Sequence, residues 1–220
     1  KEYNIARHGF ARNKIFELEY INDKKAVFLL KDDEETLAKF PFKFEFRATF
    51  ILRKNAIKIE YSVKNLSDDT MYFSVGSHEA FVTPEGVEDY DIIFPKKETL
   101  ESILCKGPLM QKQKMLNAKN TNLLPLYDKY FLLDALVFKN LNSKSATLKN
   151  RKTERAVRID FPDAEYLLVW HKPSAPFLCI EPWNGVADSE DSDYDITKRD
   201  AIISLNADKK YTNTHTITLL

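Results

Sequence analysis

The chain has 220 residues with 33 basic and 33 acidic side chains, so it carries no net charge at neutral pH and no long-range field to hold it on a polyanion or an acidic bilayer. Nucleic-acid binding and membrane binding are therefore not expected, and no apolar stretch reaches the roughly 18 uncharged residues of a spanning helix. The start KEYNIARHGF lacks the apolar core of a signal peptide, and two cysteines, Cys105 and Cys179, are too few for a disulfide framework, so the expected setting is cytoplasmic.

From Phe42 the run FKFEFRATF alternates, with Phe42, Phe44, Phe46 and Ala48 on one side and Lys43, Glu45, Arg47 and Thr49 on the other. That period of two predicts a strand with one wet face. After a polar break at 53–55 the run AIKIEYSV alternates again, and the two runs read as a hairpin. The pattern recurs at 70–77, 99–104, 135–141, 145–150, 156–161, 166–171, 177–182, 201–205 and 214–220, with no convincing helix anywhere. Strands this frequent predict an all-β protein, a large antiparallel β-sandwich. The stretches 83–97, 106–130 and 184–200 read as long loops, and such loops on a rigid scaffold point to a site among them or on the sheet face they frame. With no linker and no repeat, residues 1–220 are read as a single domain.

Five glycines, with no GxG, GKS or GKT sequence, leave no phosphate loop or dinucleotide fingerprint, so no cofactor is expected. No HExxH, HxH or CxxC occurs either, and no metal site is expected. The acidic run at 188–195 places Asp191, Asp193 and Asp195 like the opening of a calcium loop but lacks its glycine and distal glutamate, so it reads as a solvated loop. Cys179, inside PFLCIE, reads as a reduced packing thiol.

His8 lies in RHGFAR between Arg7 and Arg12, where it is either a solvated or structural residue or part of a site for a hydroxyl-rich or anionic ligand. His78 ends the strand-like YFSVGSH, where a sheet gives way to a loop. His171 follows Trp170, and His215 sits in a Thr-rich alternating strand and reads as an exposed strand residue. Glu181 follows the apolar Leu178, Cys179 and Ile180 and precedes Pro182 and Trp183. Desolvation there strengthens a carboxylate as a proton acceptor; the alternative is an edge residue turned to solvent before a proline turn. Asp134, in LLDALVF, is paired, functional, or on a wet face.

Taken in order, RHGFAR (7–12), FPF and its strands (40–50), GSHEAF (76–81), LLDALVF (132–138) and CIEPWNGVAD (179–188) resemble landmarks of the galactose mutarotase-like, or aldose 1-epimerase, family, and its bacterial HGFAR subgroup in particular. The resemblance covers nearly the whole chain and implies a large antiparallel β-sandwich. It implies His78 as general acid, Glu181 as general base, His8 holding the sugar near its ring oxygen, Asp134 bonding sugar hydroxyls, and Arg12 orienting the site or an anionic substituent. The aromatics Phe10, Phe81, Trp170 and Trp183 either pack the core or offer apolar faces to a sugar, and Trp183 is assigned to the substrate. Family members carry further strands before HGFAR, so the chain is expected to be N-terminally truncated, with an open sheet edge compatible with a monomer or a weak homodimer. Glu79 stands where many relatives have proline and His171 where a smaller polar residue is common, and each is expected to retune the pocket.

The implied reaction is interconversion of the α and β anomers of an aldohexose. A proton leaves the anomeric hydroxyl, another reaches the ring oxygen, the ring opens, C1 rotates and the ring recloses. A carboxylate and an imidazole on opposite sides of the ring suffice, each contributing roughly 10²- to 10⁴-fold. A hexose-6-phosphate 1-epimerase, with Arg7 and Arg12 pairing to phosphate, and a non-catalytic sugar-binding or sensor protein are the other readings. All three take a monosaccharide.

Overall fold

The computed structural model describes residues 2–220. The chain forms two compact units, one running to Phe73 and taking in Ile203–Thr214, the other built from Ser74–Ile202 and His215–Leu220. The first holds β1 (Glu17–Asn22), β2 (Lys25–Lys31), β3 (Phe44–Leu52), β4 (Ala56–Asn65) and β5 (Met71–Phe73). The second holds β6 (Val75–Gly76), β7 (Glu79–Val82), β8 (Tyr90–Lys106), β9 (Leu109–Pro125), β10 (Leu136–Lys139), β11 (Ser145–Asn150), β12 (Ala156–Asp160), β13 (Tyr166–Trp170) and β14 (Phe177–Asn184). The chain then returns as β15 (Ile203–Leu205), in the first unit, and β16 (Lys210–Leu219), which is shared between the units at His215. The strand pairs whose register is defined among the described residues are antiparallel.

In the first unit the strand order is β1-β2-β3-β4-β16, with β5 and β15 paired separately. The expected hairpin is β3–β4, in unbroken register from Phe44 opposite Asn65 to Leu52 opposite Ile57. Much of the aromatic content is spent here. Phe10 meets Phe40 and Phe44 with ring centroids 5.9 Å apart, Phe42 stacks edge-on to Phe40 at 5.1 Å, and Phe46 joins Phe16 and Tyr61 at 5.7 Å. Offset and edge contacts of this kind add about 0.5–1.5 kcal/mol per pair to the burial itself.

In the second unit the order is β16-β12-β11-β8-β10-β13-β14-β6, with β7 against β14 and β9 against β8. The long β8 serves two neighbours: its start, Tyr90–Ile93, pairs with β11, and Ile103 further along pairs with β10. Ile92 and Phe94 of β8, Leu148 of β11, Ile159 of β12, Val169 of β13 and Ile180 of β14 all enter one buried core. Strands on either side of β8 thus pack face to face, the two-layered arrangement expected for an all-β sandwich. The opposite face of β10, β13 and β14 carries a smaller cluster of Val137, Tyr166 and Leu168 with Trp183 packed on it. That second face holds the site.

Three expectations need correction. The stretches 83–97 and 106–130, read as loops, contain most of the 17-residue strands β8 and β9. Their pairing slips at several points between Ile93 and Cys105, and β9 has β8 as its one partner strand among the described residues, with only Met110 and Leu124 of its residues buried. An edge strand with a slipping register and few buried positions has little reason to alternate. The strands β1 and β2 were not anticipated either, and every residue of β1 is exposed. Finally, a six-residue helix, α1 (Glu34–Lys39), follows a capping box in which Asp33 accepts from the Thr36 N–H at 2.7 Å and Thr36 Oγ1 accepts from the Asp33 N–H at 2.8 Å. The stretch 184–200 is irregular beyond Asn184 apart from one 3-10 turn, Ile196–Lys198, as expected.

Candidate active site

The site is organised by β14. Alternation along CIEPW sends Leu178 and Ile180 into the main core and Cys179, Glu181 and Trp183 to the opposite face. Two short strands lie on its free side in one common register: Trp183 faces Gly76 of β6, and Ile180 faces Glu79 of β7. Moving one residue along each chain from the second pair brings His78 opposite Glu181, in the break between β6 and β7. The Ser77 N–H still donates to the Pro182 carbonyl at 3.2 Å, so the break is held.

That register explains the glycines of both motifs. A Cβ on Gly76 would lie 2.4 Å from Trp183 Cδ1, and one on Gly185 would lie 2.0 Å from Ser74 Oγ. Gly185 also has φ 83°, a backbone region that side chains disfavour. Each motif therefore leaves room for a side chain of the other. The Trp183 indole N–H donates to the Ser77 carbonyl at 2.8 Å, which fixes the residue before His78. Trp170, from β13, meets the His78 ring edge-on at 6.3 Å.

The outcome is a close pair. His78 Nδ1 lies 3.4 Å from Glu181 Oε1, with the glutamate side chain 3 % exposed and the histidine 41 % exposed. The expected desolvation of Glu181 is what the structure has, and His78 leads from it to solvent. Cys179 is free and buried. Burial, then the negative charges of Glu181 and Glu79, push its thiol up to about 12. Sequence spacing gave no metal motif, yet His78, Cys179 and Glu181 bring their donor atoms within 4.8 Å of one another, the one such group among the described residues.

Two further histidine–carboxylate pairs lie in the same unit. His215, expected on an exposed strand face, is instead 2 % exposed, and its Nε2 lies 2.8 Å from Glu79 Oε1. Burial alone would raise the Glu79 carboxyl, but the hydrogen bond and charge of His215, together with hydrogen bonds from Ser77 and the backbone, hold the group below its usual value. His171, 1 % exposed, spans the Phe177 carbonyl at 2.7 Å and Asp128 Oδ1 at 2.9 Å. Along the face from Glu181, Tyr166, opposite Trp183, hydrogen-bonds Asp200, which also holds Lys139 at 2.6 Å. Spacing gave no sign of these long-range partners.

The other expected residues are placed as follows. Asp134 precedes β10, accepts the Ala135 N–H at 2.8 Å, and lines a small concavity with Ser102, Cys105, Lys129 and Tyr130. His8 and Arg12 are exposed residues of the first unit. His8 has φ 67° in the turn closed by Gly9 N–H to the Ala6 carbonyl at 2.9 Å, and Phe10 anchors that turn on Phe40 and Phe44. Phe81 packs on the main core. In the acidic loop Asp191 and Asp193 are paired with Lys112 and Lys198.

Residues 1–194 match the aldose 1-epimerase family model. Protein LacX of Lactococcus lactis, in its plasmid and chromosomal forms, is 34 % identical over 194 residues, which is 84 % of this chain and 65 % of the relative. The chain thus spans about two thirds of the length of these curated relatives. Among solved structures, a galactose mutarotase related enzyme from Lactobacillus acidophilus superposes with a TM-score of 0.94 at 34 % identity, covering 100 % of this chain and 76 % of that one. A galactose mutarotase-like protein from Lactobacillus casei gives 0.91 at 26 % identity, covering 100 % and 78 %. No helix among the described residues is long and apolar enough to cross a membrane.

Proposed function

The chain belongs to the aldose 1-epimerase family, and from that premise we propose that it interconverts the α and β anomers of an aldohexose, with Glu181 as base and His78 as acid. The observation that carries this reading is the 3.4 Å approach of a half-exposed imidazole to a buried carboxylate. The two groups are at contact distance, so a pyranose does not fit between them as the picture of opposite ring sides requires. It need not. The anomeric hydroxyl and the ring oxygen share a single carbon, and a sugar laid over the pair presents one oxygen to each group. Glu181 takes the hydroxyl proton, protonated His78 gives one to the ring oxygen, and C1 turns in the open chain before the roles reverse.

The flanking aromatics hold this geometry: Trp170 abuts His78, and Trp183 ties Ser77 in place while offering its partly buried face to the sugar. Asp134, in the same unit as the pair, is assigned to sugar hydroxyls. Polarimetry of freshly dissolved α-glucose, α-galactose and glucose 6-phosphate tests the reading. Wild type accelerates relaxation of at least one, and Glu181→Gln and His78→Gln each lose roughly 10²- to 10⁴-fold. A Glu181→Gln protein as fast as wild type, or binding without acceleration, overturns it, the latter in favour of a sugar sensor.

A further inference from the structure

We infer that His78, Cys179 and Glu181 form a binding site for a soft divalent cation of the zinc class, and that its occupation switches the acid/base pair off. Cys179 and Glu181 are two residues apart on β14 and project from one face, while His78 reaches them from the break between β6 and β7. Their donor atoms lie within 4.8 Å of one another, and Nδ1 and Oε1 are 3.4 Å apart. Zinc bonds of about 2.0–2.2 Å to nitrogen and oxygen in a tetrahedron set those two donors about 3.3–3.5 Å apart, so this edge is already at its bound length. Only the sulfur has to close in, by up to about 1.3 Å.

The donor set selects the metal. A thiolate with an imidazole and one carboxylate suits zinc and its soft neighbours rather than magnesium or calcium, which take oxygen ligands. The scaffold is stiff on one side and adjustable on the other. Cys179 and Glu181 sit on a strand paired along both edges, whereas His78 lies outside regular pairing and is 41 % exposed, which gives the ion its entry and leaves a fourth position open to water. Coordination forms three protein–metal bonds and displaces the Cys179 thiol proton to the buffer; nothing is oxidised or reduced. Inhibition follows because the lone pairs taken from Glu181 and His78 are those that exchange protons with the sugar. The inhibitory half rests on the mutarotase reading, while the metal site rests on the geometry alone.

The experiment uses the full chain freed of metal with a chelator. Cadmium is titrated in while the thiolate-to-metal charge-transfer band is followed in the ultraviolet, and zinc is then used to displace it. A single equivalent is expected to saturate the band in wild type and in Cys105→Ser. Cys179→Ser lacks the band, and His78→Ala, altered at a half-exposed position, keeps it but binds at least about 10-fold more weakly. A band that survives Cys179→Ser, disappears in Cys105→Ser, or is indifferent to His78→Ala overturns the site. In the second arm zinc slows anomer relaxation by wild type, chelator restores it, and Cys179→Ser is unaffected relative to its own metal-free rate. Zinc that binds without slowing wild type overturns the inhibition. A metal-free chain that accelerates no sugar overturns the mutarotase reading instead, and the cadmium band still decides the site.

Discussion

Gly76→Ala is the sharpest structural test of how the site is held. The added Cβ meets Trp183 Cδ1 at 2.4 Å, Cγ at 2.7 Å and Cα at 3.1 Å, where non-bonded carbons prefer about 3.5–4.0 Å. These atoms are the root of the tryptophan side chain, so no distal rotation relieves the contact. The indole must swing away and lose its 2.8 Å bond to the Ser77 carbonyl. Overpacking costs about 1–3 kcal/mol, and stranding that carbonyl about 1–3 kcal/mol more. Together, about 2–6 kcal/mol corresponds to a Tm lower by roughly 4–24 °C for a chain of this size. His78 lies two residues on, and its misplacement is expected to slow anomer relaxation about 10²-fold. Far-ultraviolet circular dichroism gives the Tm, and tryptophan fluorescence reports the displaced indole. Adding Trp183→Leu should relieve the clash, so the double variant costs less than the sum of the singles. Full additivity, or a Gly76→Ala protein that melts within about 1 °C of wild type with unchanged fluorescence, refutes the packing argument.

Glu79→Gln removes the charge facing buried His215 and is expected to cost about 1–3 kcal/mol at pH 7. Because the Glu79 carboxyl is held below its usual value of 4.5, its contribution is complete above the unfolded carboxylate range and is lost as pH falls through the folded value. Urea unfolding should therefore show the gap between wild type and variant narrowing below about pH 4; a gap that widens on acidification contradicts the pairing. With its thiol pushed up to about 12, Cys179 is ionised to only about one part in 10⁴ at pH 8, so iodoacetamide should label Cys105 in the folded chain and Cys179 only after denaturation. Peptide mapping that finds both labelled at one rate rules this out. His171→Ala should lower stability by about 2–4 kcal/mol, through the cavity and the stranded Phe177 carbonyl, and a calorimetric scan with an unshifted Tm would contradict the bridge.

What the sequence disclosed follows from which faces are buried. The runs that became β3, β4, β11 and β12 alternate because one face meets a core, β14 reads as an apolar run because both its faces are buried, and their positions could be read locally. β9, carrying Lys112, Lys114 and Lys119 on an edge, and β1, exposed throughout, carry no such imprint. The helix at 34–39 is too short to show a period of 3.6 and announced itself only through Asp33 and Thr36. His215 misled for a related reason: its strand alternates through threonines, and a threonine row does not say which side is dry.

The candidate site divides along the same line. Glu181 stood out because a carboxylate directly after Leu178, Cys179 and Ile180 is a local anomaly, and His78 because it ends a strand-like run. Their meeting is a matter of register, with Gly76 against Trp183 and Glu79 against Ile180, and a register between segments a hundred residues apart is written in no local pattern. Yet it left two marks. The glycines of GSHEAF and EPWNG are each too crowded to bear a side chain because of a residue beside the other motif, Trp183 over Gly76 and Ser74 against Gly185. In a chain with only five glycines, two spent beside the proposed acid and the proposed base are a spatial constraint expressed as composition. A shift of β6 by one residue would set Val75 or Ser77, each with a Cβ, against the Trp183 indole and turn His78 to the other face of the sheet. The same packing that closes the sheet thus selects the register that joins the imidazole to the carboxylate.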